Sequence, residues 1–296
     1  MMRIIYDLFR DGLSAINTAA DDLAVAREQV ATGRRISRAS DDPLAVQQAI
    51  GEHATLAALD AYTRTNASAA SRLGAIDNIL NGVVDKITAA LVAGSSARGS
   101  SIDANARSAA AAQIRGLRDS LLGDFNTQFN GTYLFSGTVA GTPAYAQVGG
   151  AWTYQGNSET TGVEIERGRV VSTTVDGQRI VQGSASADLF TTLDALAAAV
   201  EAGDNDAIGT ALASLDDAFD RATAAQGRLG ADESGVDGAN ARLAALRTIA
   251  ETRRSKLEDA DLAESVTRLT AATNAYQAAL GAVSTAERHS LLDYLR

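Results

Sequence analysis

The sequence predicts a mainly α-helical protein with an inserted β-rich domain, its N- and C-terminal segments forming a long helical bundle or coiled coil. The first observation is a pair of apolar seams. Near the start, Leu13, Ile16, Ala20, Leu23, Arg27 and Val30 fall at alternating spacings of three and four. Near the end, Leu262, Val266, Leu269, Thr273, Tyr276, Leu280 and Val283 do the same. That is the seven-residue repeat of helices that pack along a seam. The second is composition: the 296 residues are 46% hydrophobic but only 5% aromatic, which suits long helices packed side by side rather than one bulky core. The third is a stretch from Gly131 to Gly183 that turns rich in Gly, Thr, Val, Tyr and Trp and reads as β structure.

The elements follow in order. A first helix is expected from about Asp11 to Thr32, with Gly33 as its stop and Arg34 and Arg35 where positive charge suits a helix end. In Ser40-Asp41-Asp42-Pro43, Asp42 can cap a second helix and Pro43 can take its first position. That helix continues through Gln47, Ile50, Ala54, Ala57 and Ala61, and Leu73, Ile76, Leu80, Val83 and Ile87 form a further stripe. A loop is expected around Gly94 to Ser101, then a helix from Asn105 to Phe129. Two hairpins are expected: one turning at Gly149-Gly150 between Tyr145 and the Trp152–Tyr154 run, the other joining Val170–Val175 to Arg179–Val181 through Asp176-Gly177. Helices resume at Ala187 to Glu201 and Ala207 to Arg228, and Gly227, Gly230, Gly235 and Gly238 are read as loosened chain. The last segment runs from about Asn240 to Leu292, with a slip at Asp259-Ala260-Asp261 that suggests a stutter or a short break. Helices at both ends around a β-rich middle bring the termini together.

Charge and residue types narrow the function. With 26 basic and 36 acidic residues the net charge is −10, which argues against general nucleic-acid binding. There is no cysteine, so thiol and Cys-based zinc chemistry are excluded. No stretch approaches the roughly 18–20 apolar residues of a membrane span, so no membrane insertion is expected. The start, Met1-Met2-Arg3-Ile4-Ile5-Tyr6-Asp7, has no signal-peptide apolar run; the expectation is a cytoplasmic protein or one that leaves without a cleaved signal. His53 and His289, the only histidines, sit in ordinary helical sequence, and no catalytic triad, phosphate loop or dinucleotide fingerprint stands out. Neither an enzyme nor a cofactor or metal site is expected. Asp41 and Asp42 read as a helix cap, Asp259, Asp261 and Glu264 as an exposed helix face, and Phe125 and Phe129 as core at a helix-to-strand junction. The terminal seams, on spacing alone, suit an intramolecular bundle as well as an assembly interface.

Several segments resemble a known family. Gly33-Arg34-Arg35-Ile36-Ser37-Arg38-Ala39-Ser40-Asp41-Asp42-Pro43 resembles the motif after the first helix of the flagellin superfamily, in the Asp-Asp-Pro form of hook-associated proteins. Ala39 stands where the family often has Pro. Phe129-Asn130-Gly131-Thr132-Tyr133-Leu134-Phe135-Ser136-Gly137 resembles the segment where that family's helical layer gives way to its outer domain. Glu258 to Glu264, Ala275 to Leu280 and the ending Ser290-Leu291-Leu292-Asp293-Tyr294-Leu295 resemble its C-terminal helix. The resemblance is to the FlgL-type hook–filament junction family. It implies residues 1–40 and 262–296 as a terminal coiled-coil assembly region, 41–134 and 225–261 as a helical rod, and 135–224 as an inserted outer domain. It implies a structural adapter between the first junction protein (hook-associated protein 1) and flagellin, with neighbouring copies of itself in a ring and a FlgN-like export chaperone as further partners. It implies type III export without a cleaved signal and a place outside the cell, in the flagellum; a flagellin-type filament subunit is the alternative. The assembly interface is expected at Leu13, Ile16, Leu23, Val30, Leu262, Val266, Leu269, Tyr276, Leu280, Val283, Leu291 and Leu292.

Overall fold

The computed structural model describes residues 2–99, 103–149, 151–183 and 188–294, with side chains described from 10 to 285. Seven helices and six short strands occur among them. The helices are α1 (Met2–Thr32), α2 (Pro43–Ser96), α3 (Ala104–Phe125), α4 (Gly177–Val181), α5 (Leu189–Ala202), α6 (Asn205–Glu258) and α7 (Leu262–Tyr294). The strands form three antiparallel pairs: β1 (Gln128–Phe129) with β2 (Thr132–Tyr133), β3 (Tyr145–Val148) with β4 (Ala151–Tyr154), and β5 (Gly162–Glu166) with β6 (Arg169–Ser172). The chain divides into two compact units, Met1–Leu59 with Ala245–Arg296, and Asp60–Ala244. Among the described residues no helix is long and apolar enough to cross a membrane.

The Asp60–Ala244 unit holds the main core. The α2 stripe Leu73, Ile76, Leu80, Val83 and Ile87 is fully buried, as its spacing predicts. The buried positions of α6 include Leu215, Ala218, Ala222, Ala225, Leu229, Val236, Ala239 and Leu243, again at threes and fours apart from the step of one heptad between Leu229 and Val236. From α3, Ile114, Leu121 and Phe125 join the same cluster, with Leu193 and Leu196 of α5. Phe125 packs edge-on against Phe135, Tyr145 and Phe190 at 5.2, 6.0 and 6.1 Å between ring centres. Burial pushes the Tyr145 hydroxyl up in pKa, with the phenol of Tyr154 beside it.

Four expectations change. The two apolar stripes of α2 belong to one helix of 54 residues that runs through Gly94 to Ser96. There, a Cβ at Gly94 would meet Leu212 Cδ2 at 2.9 Å and Leu196 Cδ1 at 3.0 Å, so this glycine admits neighbours rather than ending the helix. α3 ends at Phe125, not Phe129, because the Asn126 amide pairs with the backbone of Tyr145 in both directions at 2.9 Å and draws the chain away. The Asp176-Gly177 hairpin does not form. Asp176 instead caps α4 by accepting from the Gln178 N–H at 2.9 Å, while β6 pairs back with β5 across a turn at Gly168, φ 77°. Gly227, Gly230, Gly235 and Gly238 lie inside the unbroken α6. Each costs about 1 kcal/mol against Ala, and the buried stripe that continues on both sides outweighs that.

Candidate assembly interface

In the unit formed by residues 1–59 and 245–296, both helix breaks lie together. α1 stops at Gly33, whose φ of 67° only glycine adopts freely. α6 stops at Glu258, and Asp261 caps α7 by accepting from the Ala263 N–H at 2.8 Å. The slip read at Asp259–Asp261 is thus a break. Its backbone is joined to the first: the Arg35 N–H donates to the Glu258 carbonyl at 2.7 Å, and the Ala260 N–H donates to the Gly33 carbonyl at 2.9 Å. The Arg35 guanidinium donates to the Leu257 carbonyl at 2.8 Å and lies 3.3 Å from Asp42. Glu258 takes Arg34 at 3.6 Å and His53 at 2.7 Å. Arg38 pairs with Glu28 at 3.7 Å. The arginines of the motif therefore find acidic partners within the chain.

The two aspartates divide their work. Asp42 Oδ1 accepts from the Ala45 N–H at 3.0 Å and caps α2, with Pro43 in the first position. Asp41 instead closes the loop before it: Oδ2 accepts from the Arg38 N–H at 2.8 Å, the Ser37 N–H at 3.1 Å and the Ser37 hydroxyl at 3.3 Å. The Arg38 amide holds Asp41 below the usual carboxylate range, and the Ala45 amide does the same for Asp42. Ile36 is buried, whereas Ser40 stands in solvent. Among the described residues no group of three or more His, Asp or Glu is placed to hold a metal ion.

Beyond these breaks α1 and α7 pair antiparallel. Leu23, Ala26 and Ala272 form a small buried core, with Leu269 and Tyr276 packed against it. A Cβ at Gly12 would meet Val283 Cγ2 at 2.9 Å, so the helices approach closely at that level. The covered positions include Gly12, Ile16, Ala19, Leu23, Ala26 and Val30 on α1, and Ser265, Leu269, Ala272, Tyr276, Ala279 and Val283 on α7, with Ala20, Glu28, Gln29 and Thr273 partly covered beside them. Both of the named sets step by four and three, a heptad seam in which small residues alternate with large ones. Of the expected interface residues, Ile16, Leu23, Val30, Leu269, Tyr276 and Val283 thus lie in this intramolecular seam. Leu13, Leu262, Val266 and Leu280 remain 42–59% exposed on the same two helices, and Val25 is 50% exposed. Leu291 and Leu292 lie outside the described side chains. Reading only large apolar residues merges the two faces; Gly12, Ala19, Ala26, Ser265, Ala272 and Ala279 are the small positions that separate them.

The central motif runs from an exposed turn into the interior. Asn130 (φ 50°) and Gly131 (φ 78°) make the two-residue turn between β1 and β2, the primed geometry that Asn-Gly favours. Thr132 accepts from Arg72 Nη1 at 2.9 Å, and the Tyr133 N–H donates to the Ala140 carbonyl at 3.0 Å. Leu134, Phe135 and Ser136 are fully buried. A Cβ at Gly137 would fall on the Asn157 backbone carbonyl, so the chain there needs glycine.

Comparison with known proteins agrees with this layout. Residues 12–140 match the bacterial flagellin N-terminal helical region, and residues 212–295 match the bacterial flagellin C-terminal helical region. The chain is 27% identical over 207 residues to flagellar hook-associated protein 3 of Escherichia coli (strain K12), covering 66% of this chain and 65% of that protein. It is 24% identical over 165 residues to the protein of the same name from Salmonella typhimurium (strain LT2), covering 55% and 51%. The aligned chain thus spans just under two thirds of the first relative and about half of the second. The fold matches the flagellar junction protein FlgL from Legionella pneumophila with a TM-score of 0.62 at 14% identity, over 72% of this chain and 100% of that one. The chain belongs to the bacterial flagellin superfamily, and within it is similar to flagellar hook-associated protein 3.

Proposed function

We propose that the protein is a structural, non-catalytic adapter of the bacterial flagellum that joins the hook to the flagellin filament. The observation that carries this reading is the split between two faces of α1 and α7. One face closes the chain on itself through small residues, and the other keeps Leu13, Leu262, Val266 and Leu280 in solvent. Covering a large apolar side chain contributes about 1.5–3 kcal/mol, and this second face gains that only when another subunit covers it. Residues 1–40 and 262–296 act as the assembly region, 41–134 and 225–261 as the rod, and 135–224 as the outer domain. The partners are hook-associated protein 1 on one side, flagellin on the other, and neighbouring copies in a ring. Before assembly the chain passes through the flagellar type III apparatus, escorted by a FlgN-like chaperone, and ends outside the cell. The matched flagellin regions also favour a second reading, a filament subunit. A deletion strain separates the two. Loss of an adapter leaves hooks intact and releases flagellin monomers into the medium, whereas loss of flagellin releases none.

A further inference from the structure

Asn-Gly occurs twice in the chain, at Asn81-Gly82 and Asn130-Gly131, and the fold treats the two pairs differently. The pair is reactive because glycine has no Cβ to shield its backbone nitrogen from the side-chain amide of the residue before it. Asn81 lies inside α2, where helical backbone is fixed on both sides of it. Its Nδ2 donates to Asp77 Oδ2 at 2.9 Å and its Oδ1 accepts from Gln226 Nε2 at 2.7 Å, so the amide is held away from Gly82. Asn130 has neither restraint. It stands exposed at the tip of the β1–β2 hairpin, and among the described residues nothing holds its side chain and no carbonyl accepts from the Gly131 N–H.

Among the described residues Asn130 is also the only one other than glycine with a positive φ, 50°. That supplies one of the two backbone angles the reaction needs. Closing a five-membered imide between Gly131 N and Asn130 Cγ turns ψ of Asn130 to about −120° with φ near 60°, the first position of a type II′ turn. With φ of 50° and 78° the pair now makes a type I′ turn, whose first residue has the same φ. The two forms differ by rotation of the peptide plane between Asn130 and Gly131, which reverses the sign of φ at Gly131. Glycine accepts both signs, and even a Cβ at Gly131 would meet no described atom within 4 Å, so no neighbour blocks the rotation. The Phe129–Thr132 pair that closes the turn is common to both forms. We infer that Asn130 is a site of spontaneous deamidation, with water as the only co-reactant. The Gly131 nitrogen gives up its proton and bonds to Asn130 Cγ, the Cγ–Nδ2 bond breaks, and ammonia leaves with that proton. Water then opens the imide. Cleavage at Cγ leaves aspartate at position 130; cleavage at the backbone carbonyl leaves isoaspartate, with the chain running through Cγ. The balance is amide plus water to carboxylate plus ammonium, and nothing is oxidised or reduced.

Isoaspartate adds a backbone carbon to a two-residue turn, so the hairpin no longer closes in its register. β1 and β2 are two residues each, too short to stay paired without the turn. The contacts that loosen are those of Thr132, whose hydroxyl accepts from Arg72 Nη1 at 2.9 Å, and of Tyr133, whose N–H donates to the Ala140 carbonyl. This chemistry belongs to the turn alone and is independent of the junction role.

The test is to age the purified full chain at physiological temperature and pH, and at a more alkaline pH, beside the same chain unfolded in urea, with peptide mapping by mass spectrometry. In urea both Asn-Gly pairs should convert at similar rates. In the folded chain Asn130 should keep that rate to within about tenfold, with Asn81 slower by about a further tenfold or more, the scale of breaking its two hydrogen bonds. Conversion should speed up with pH, hydroxylamine should trap the imide at Asn130, and isoaspartyl methyltransferase should label the product. Hydrogen exchange at Tyr133 should rise with the isoaspartate fraction. Asn130→Asp, which adds the charge without the extra backbone carbon, should leave that exchange unchanged in fresh protein. Gly131→Ala, whose methyl group hinders the attack, should slow conversion about tenfold, with circular dichroism unchanged. An Asn130 as slow as Asn81 in the folded chain overturns the site. So does aspartate formed with neither isoaspartate nor trapped imide, since that is direct hydrolysis of the side chain.

Discussion

Asp42 holds the Ala45 amide and the Arg35 guanidinium at once, and Asp41 beside it gathers two amides and a hydroxyl. Both carboxyls are held below the ordinary range, so the sign of their pH effect is fixed. Their contribution to stability is complete above the unfolded carboxyl value, about pH 4, and is lost as pH falls through the lowered folded values. Acid titration of the melting temperature should show this loss, and the double variant Asp41→Asn with Asp42→Asn should flatten it. In the other unit, Phe125 touches three aromatic rings and is fully buried. Phe125→Ala should cost about 3–5 kcal/mol in chemical denaturation. The cap at Asp42-Pro43 was legible in the sequence because capping is local chemistry. Asp176-Gly177 is ambiguous in sequence because the same two residues suit a primed turn and a helix start, and only the pairing of β5 with β6 decides between them.

Among the elements, α1 and α7 carry two apolar faces with different duties. Val266 is 50% exposed, whereas Leu269 packs on the Leu23–Ala26–Ala272 core. Val266→Asp should leave the helix content and melting of the isolated chain unchanged and yet keep it out of assembled flagella, seen by fractionation. Leu269→Asp should still be expressed and should also fail to join, but with the α1–α7 pair loosened in hydrogen exchange. A result in which both variants assemble normally contradicts the role given to these helices. The heptad period of both helices was visible in sequence, but not the division of its faces, because alanine and glycine fix how near two helices come without standing out as apolar. In α6 the opposite happened. Glycines drew a boundary that the buried stripe from Leu215 to Leu243 runs straight through, since the stripe's partners are brought by the fold and not by neighbours in the chain.

At the scale of the molecule, helices at both ends around β pairs in the middle could be read from composition and period, and the motifs carried the family. The convergence of residues 158–179 with residues 220–232 could not, because it depends on how the insert packs on α6. The backbone joining of the two helix breaks, Gly33 with Ala260 and Arg35 with Glu258, is likewise a contact between distant segments, which single motifs suggest but do not specify. It ties the start and end of the chain at one level, from which α1 and α7 continue as a pair with one face still uncovered. The central claim is that this uncovered face completes a junction between hook and filament. The most direct measurement is the deletion strain, examined by electron microscopy of the cell surface and by assay of the medium for flagellin. The account predicts intact hooks, no filaments and flagellin monomers in the medium, with all three reversed by the native gene but not by one carrying Val266→Asp. Filaments that grow normally in the deletion strain, or a medium free of flagellin beside bare hooks, would contradict it.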